Sequence, residues 1–159
     1  MKGLVNRRVK DYAKKRLASI NDLDLIASWL LALSWSRRMS PSSITQRCIQ
    51  FDCVACICVD GDLWVASNSQ SITDSDIEQL RSEIGDEVTV YIVTNGLRGQ
   101  MHAEMQLVSE LKQVNKLGQA FYMGVSKPCC EQCRSVLDSC NIQYANWHNS
   151  LVKKWQSPF

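Results

Sequence analysis

Val88-Thr89-Val90-Tyr91-Ile92-Val93 opens the stretch that decides the fold. Behind it come a helical run through Leu107, Val108 and Leu111, a β-rich run at Phe121 to Val125, a cysteine-bearing helix with Val136 and Leu137 on its core side, and a last short run at Ile142 to Ala145. The β-branched and aromatic residues of the short runs favour strands, whereas the apolar residues of the longer ones recur at helical spacing. Strand, helix, strand, helix, strand in this order implies right-handed crossovers and a mainly parallel portion of sheet, covered by helices. Gly96 and Gly99 bracket the loop that delivers His102 to the first of these helices, which runs toward Asn115 with Gly118 as its stop, and Pro128 opens the second.

Upstream, Phe51 to Val59 and Leu63 to Ser67 are β-rich stretches separated by Asp60-Gly61-Asp62, which predicts an antiparallel hairpin. Asp74 to Ile84 reads as a short polar helix. Before it, Asn21 is suited to cap a helix with Asp22 and Asp24 in its first turn and Leu23, Ile26, Leu30 and Leu33 on its buried side, ending at Ser40-Pro41. The expected order is helix, hairpin, helix, strand, helix, strand, helix, strand, helix. It corresponds to an α/β fold: a three-layer α/β/α sandwich with a mixed sheet, the N-terminal antiparallel hairpin joined at one edge to the parallel strands.

With 159 residues and 45% apolar content, the chain suffices for one well-buried domain. We expect a single domain over 1–159, with a basic arm and helix in 1–45 and the core in 46–159. The net charge is only +2, but Lys2, Arg7, Arg8, Lys10, Lys14, Lys15 and Arg16 face a single Asp11 within the first sixteen residues. Such a block attracts phosphates over a Debye length of about 8 to 10 Å, unless it is simply a solvated helix face. The most apolar uncharged run, Leu25 to Ser36, falls well short of the ~20 residues of a membrane helix. Asp22 and Asp24 break the pattern of a secretory signal, so a cytoplasmic location with the eight cysteines reduced is expected.

The chemistry is concentrated in His102-Ala103-Glu104 and in Cys130-Glu131-Gln132-Cys133. One imidazole and two thiolates make a three-ligand zinc site whose fourth position stays open, and Glu104 adds a carboxylate that is not a ligand. Both ligand sets fall at helix N-termini, where unpaired N–H groups favour thiolate over thiol. Thiolates three positions apart on a first helical turn converge on one metal, which selects Cys130 with Cys133 over Cys129. A rival arrangement joins Cys53 and Cys56 to Cys130 and Cys133 in a closed four-thiolate site. On an extended strand, however, Cys53 and Cys56 point to opposite faces. His148, in Asn146-Trp147-His148-Asn149, has no ligand context and reads as a surface or packing residue.

From Phe51 to about Ala145 the chain resembles the zinc-dependent cytidine deaminase-like superfamily, most specifically in His102-Ala103-Glu104 and Cys130 to Cys133. The Met101 to Leu107 and Gly124 to Lys127 contexts resemble its bacterial toxin-type and fungal nucleic-acid or nucleotide branches. In the superfamily pattern a proline directly precedes the first cysteine ligand, which would select Cys129, so that alternative stays open. The resemblance implies a Zn2+ enzyme that hydrolyses cytosine to uracil, with Glu104 carrying the proton. It also implies that the backbone of Ala103 and the loop at Ser126 orient the base, and that Asn68, just after the hairpin, contacts the substrate. The substrate would be single- or double-stranded nucleic acid, DNA or RNA, or a nucleotide, and toxin-like relatives imply an inhibitory, immunity-type protein as a further partner. Adenine deamination and a non-catalytic zinc-stabilised nucleic-acid-binding module are the alternatives.

Overall fold

Asp60 and Gly61 both adopt left-handed backbone, with φ of 54° and 79°, and so form the two-residue turn whose twist matches that of the strands it joins. The turn pairs β1 (Val54–Val59) with β2 (Asp62–Ser67) antiparallel, from Val59 opposite Asp62 to Val54 opposite Ser67. In this computed structural model the described residues are 20–38, 52–69, 71–85, 87–94 and 101–159. The remaining elements are α1 (Ile20–Arg38), α2 (Asp74–Ile84), β3 (Val90–Val93), α3 (Ala103–Gln113), β4 (Met123–Val125) and α4 (Glu131–Ser139). The sheet order is β3-β2-β1-β4, with β3 parallel to β2 and β4 antiparallel to β1.

The period-two alternation of the strands divides the core into two halves. Ala55, Ile57 and Val59 of β1, with Trp64 and Ala66 of β2, face Met105, Val108 and Leu111 of α3 and Cys133 and Leu137 of α4. Val54 and Cys56, with Leu63 and Val65, face Leu23, Ile26 and Leu30 of α1 and Ile77, Leu80 and Ile84 of α2. Helices therefore cover both faces, and the molecule is the expected α/β/α sandwich. α2 begins on a capping box in which Thr73 and Asp76 exchange side-chain and backbone bonds.

α1 lies directly on β4. A Cβ on Gly124 would stand 2.2 Å from the backbone carbon of Leu23, so only glycine permits this approach. Asp24, one residue on, accepts a bond from the Val125 N–H at 3.0 Å and another from the Tyr122 hydroxyl. Read from sequence as a helix-dipole residue, Asp24 in fact ties the first helix to the strand that leads into the cysteine loop.

The expected grouping of the parallel strands at one edge of the hairpin is not found. β3 and β4 lie at opposite edges, with the hairpin between them. Ile142 to Ala145 forms a single parallel bridge, Tyr122 with Gln143, beyond β4 rather than a strand. α3 stops at Gln113, and Asn115 at φ 58° makes the left-handed turn assigned from sequence to Gly118, which sits in a short 3-10 turn, Leu117–Gln119. Pro128 precedes α4 without opening it; Cys130 is the cap. No closing helix follows Ala145, and residues 146–159 run irregularly. The basic block before Arg16, Ser40-Pro41, Phe51, Gly96 and Gly99 lie outside the described residues. Among the described residues no helix is long and apolar enough to cross a membrane.

Candidate active site

His102 is the N-cap of α3, with φ −58° and ψ 147°, but its side chain makes no capping bond. The imidazole turns instead toward the cysteines, placing Nδ1 3.3 Å from Cys133 Sγ and 3.5 Å from Cys130 Sγ. Cys130 caps α4, its Sγ accepting from the Cys133 N–H at 3.4 Å. The helix start thus places the two sulfurs on one side. Among the described residues, His102, Cys130 and Cys133 form the one group suited to a metal, their ligand atoms all within 4.8 Å of one another. A nitrogen and two sulfurs at this separation suit a borderline-soft, tetrahedral divalent ion. Cys129 is not in the group, and neither is Glu104.

The electrostatics fit the same use. The Cys130 thiol is lowered to about 4, first by the hydrogen bond from Cys133 and, against the cost of burial, by the bond with His102. Cys133 is pushed up by that same bond and by burial. The pair therefore shares one proton and holds one thiolate ready. His102 is raised, chiefly by its bond with Cys130.

Glu104, in the first turn of α3, is only 3% exposed. Burial pushes its carboxyl up, opposed in part by its own backbone N–H and by the charge of His102. The Cys129 thiol hydrogen-bonds to this carboxyl, and burial and the Glu104 charge push that thiol well above its ordinary range. The doubled cysteine thus divides its sulfurs between two tasks, Cys130 toward the metal group and Cys129 toward the acid.

A cavity of about 280 Å³ opens onto these groups, lined by His102, Ala103, Glu104 and Cys130 together with Asn68, Cys53, Lys127, Pro128, His148 and Val152. Its size suits a small ring more than an extended ligand. Asn68 sits at its wall, where Oδ1 accepts from the Cys53 N–H at 2.8 Å and its own N–H bonds the Cys53 carbonyl at 3.1 Å. The Ser126 hydroxyl accepts from the Val54 N–H at 2.9 Å and donates to Cys53 Sγ at 3.7 Å, while Ser126 N–H bonds the Val54 carbonyl. Ser126 thus clamps β1 to the end of β4, and Lys127 beside it lines the cavity. Burial lowers the Lys127 ammonium from its usual range.

Sequence reading gave Cys53, Lys127, His148 and Val152 no place at this cavity. Cys53 faces the cavity while Cys56 points to the opposite layer, its Sγ 3.1 Å from the Leu23 carbonyl, so a four-thiolate site is not assembled. His148 is exposed, as expected, but stands at the cavity mouth, with Nδ1 accepting from the Ser150 N–H at 3.2 Å. Val152 completes the wall from the same C-terminal segment. No local motif marks His148 or Val152, because both reach the cavity only through long-range pairing.

Residues 101–159 match a family model described as OTT_1508_deam-like deaminase, a deaminase family of the cytidine deaminase-like type. The matched stretch holds His102, Glu104, Cys130 and Cys133 together with the C-terminal segment. No curated protein and no solved structure matches the chain.

Proposed function

We propose that the protein is a zinc-dependent hydrolytic deaminase that converts cytosine to uracil in a nucleic acid or a nucleotide. One observation carries this reading: a buried carboxyl, Glu104, shares a small cavity with His102 and Cys130 yet stands outside the metal group. A purely structural zinc site has no use for such a group, whereas hydrolysis needs one to move protons. Held by His102, Cys130 and Cys133, zinc would supply Lewis-acid activation of water.

Water and cytosine yield uracil and ammonia, so one C4–O bond forms, the C4–N4 bond breaks, and a proton must travel from the oxygen to the leaving nitrogen. Glu104 takes one proton from the attacking water and passes it to ring N3, then takes the second from the oxygen now bonded to C4 and delivers it to the departing amine. A carboxyl pushed up by burial is suited to both halves of that cycle. The Ala103 N–H, at the start of α3, points its partial positive charge toward the cavity end of the helix. Asn68 presents an amide to the base edge or sugar, its position fixed by its two bonds to Cys53. The loop at Ser126 holds the base from the other wall, with the hydroxyl anchoring the loop and Lys127 facing the cavity.

A nucleic acid or nucleotide is favoured over a free base by cations at two places. Lys127 stands at the cavity, and seven basic residues occur within the first sixteen of the chain. The deciding assay measures ammonia and uracil from zinc-loaded protein offered cytidine, its nucleotides, single-stranded DNA, duplex DNA and RNA in parallel. Uracil in one pool, lost in Glu104→Ala, establishes the reaction and the substrate class. Silence in every cytosine pool, with zinc bound stoichiometrically, would overturn the cytosine assignment, and adenine pools assayed alongside would then report the alternative.

A further inference from the structure

Residues 129 to 134, which carry both cysteine ligands, are covered by the irregular C-terminal segment. The Cys129 N–H bonds the Asn146 carbonyl at 3.0 Å, and its carbonyl accepts from the His148 N–H at 2.9 Å. The Glu131 N–H, which has no partner within α4, reaches the Ser150 carbonyl at 3.4 Å. The Gln132 amide clasps the Val152 backbone in both directions, at 3.0 and 3.1 Å. The Arg134 guanidinium stacks 3.8 Å over the Trp147 ring. At the end of this row the Trp155 indole N–H donates to Cys133 Sγ at 3.3 Å. A segment without helix or strand finds its backbone partners on the ligand-bearing turn, one residue after another.

We propose that this segment is the outer shell of the metal site, and that Trp155 is a positioning residue that sets how much charge Cys133 gives to a bound metal. Indole N–H is a donor only, so the bond at 3.3 Å runs toward the sulfur. A thiolate that accepts an N–H bond keeps part of its lone-pair density away from a metal, and the bond fixes where the sulfur points. Trp155 is half-buried among side chains of the same core half that holds Cys133 and Leu137, so the donor is held in place by packing. Both sulfurs meet His102, but Cys130 accepts from the backbone N–H of Cys133 where Cys133 accepts from the Trp155 indole. The role lies beyond the ligand set and the acid, and it rests on the metal-site reading above.

The test is a cobalt titration of the full chain, wild type and Trp155→Phe. The substitution keeps a six-membered aromatic ring and removes the N–H donor together with the five-membered ring that carries it. Loss of the donor should move the thiolate-to-cobalt charge-transfer band to lower energy, since the sulfur electrons are then held less tightly, and weaken cobalt and zinc binding by about tenfold, since the sulfur is no longer held in place and that loss outweighs the stronger donation. A structural loss of packing alone has no reason to shift the band in that direction. Unchanged band and affinity in Trp155→Phe would overturn the inference, whereas a wild-type protein that binds no cobalt would overturn the metal reading itself. The wild type supplies a second measurement that needs no variant to fold. Of the indole N–H signals of its five tryptophans, one should move downfield and exchange slowly with solvent when zinc is added. Indole signals that all stay in place would also overturn it.

Discussion

The thiol of Cys129 hydrogen-bonds to the carboxyl of Glu104, while Cys130, its neighbour in the chain, turns its sulfur to His102 at 3.5 Å. Adjacent residues of extended backbone direct their side chains oppositely, and Cys130, with ψ 167°, is the last extended residue before α4. The pairing separates a metal ligand from an acid's partner within one dipeptide.

That separation predicts different losses at the two positions. Cys130→Ala should abolish stoichiometric zinc binding, because it removes a donor from a three-residue group. Cys129→Ala should keep zinc at one per chain and lower turnover by altering the surroundings of Glu104. Metal content by emission spectroscopy, set beside ammonia release, separates the two, and zinc lost from Cys129→Ala with zinc retained in Cys130→Ala would reverse the assignment.

Metal loading should weaken as pH falls. Without metal, the Cys130 and Cys133 sulfurs share one proton, with Cys133 pushed up and Cys130 lowered to about 4. Loading must displace that proton, and below the raised value of His102 it must displace a second one from the imidazole. Each displaced proton costs about tenfold in apparent affinity per pH unit, so the slope should steepen as His102 becomes protonated. Competition titrations across the neutral to mildly acidic range measure this; a flat profile would contradict the shared-proton arrangement.

Glu104→Gln should stabilise the metal-free protein while removing turnover. Burial raises the Glu104 carboxyl in the folded state, so the folded chain binds that proton more readily than the unfolded chain does. The stabilisation from protonation is fully present below the unfolded carboxyl value and is lost as pH rises through the folded one. Glutamine lacks this loss. Urea denaturation should therefore show the metal-free variant more stable than wild type at neutral pH, with the gap closing as pH falls through the carboxyl range.

Gly124→Ala should destabilise the domain without involving any cavity residue. The added Cβ would meet the carbon and oxygen of Leu23 at 2.2 and 2.3 Å, and backbone atoms of a packed helix cannot swing aside. Separation of α1 from β4 also strains the Asp24 bond to Val125. A cost of about 3 kcal/mol or more is expected in chemical denaturation, at the upper end for overpacking; an alanine variant of wild-type stability would show that α1 does not sit on this strand.

Local features were legible in the sequence because short-range geometry produces them. Asp60-Gly61 adopts the turn its residues favour, and α2 runs over Asp74 to Ile84 as its composition indicates. His102, Cys130 and Cys133 converge as their spacing at two helix starts requires, and Glu104 follows His102 by two residues into the same cavity. Helix boundaries were less legible: Asn115 and Gly118 both suit a left-handed turn, and only the positions of their neighbours decide between them.

By itself the sequence indicated the α/β/α layering, the hairpin, the candidate donor set and the candidate acid, through the order of its elements, its turn residues and two short motifs, His102 to Glu104 and Cys130 to Cys133. Only the tertiary structure decided that β3 and β4 flank the hairpin on opposite sides, that Cys53, Lys127 and His148 share the Glu104 cavity, and that Trp155 reaches Cys133. Strand order is set by which edges the crossovers reach, and a contact between residues 22 positions apart is set by where an irregular segment finds partners for its backbone. Neither leaves a periodic trace in the residues concerned, because the energy lies in pairings between distant parts of the chain.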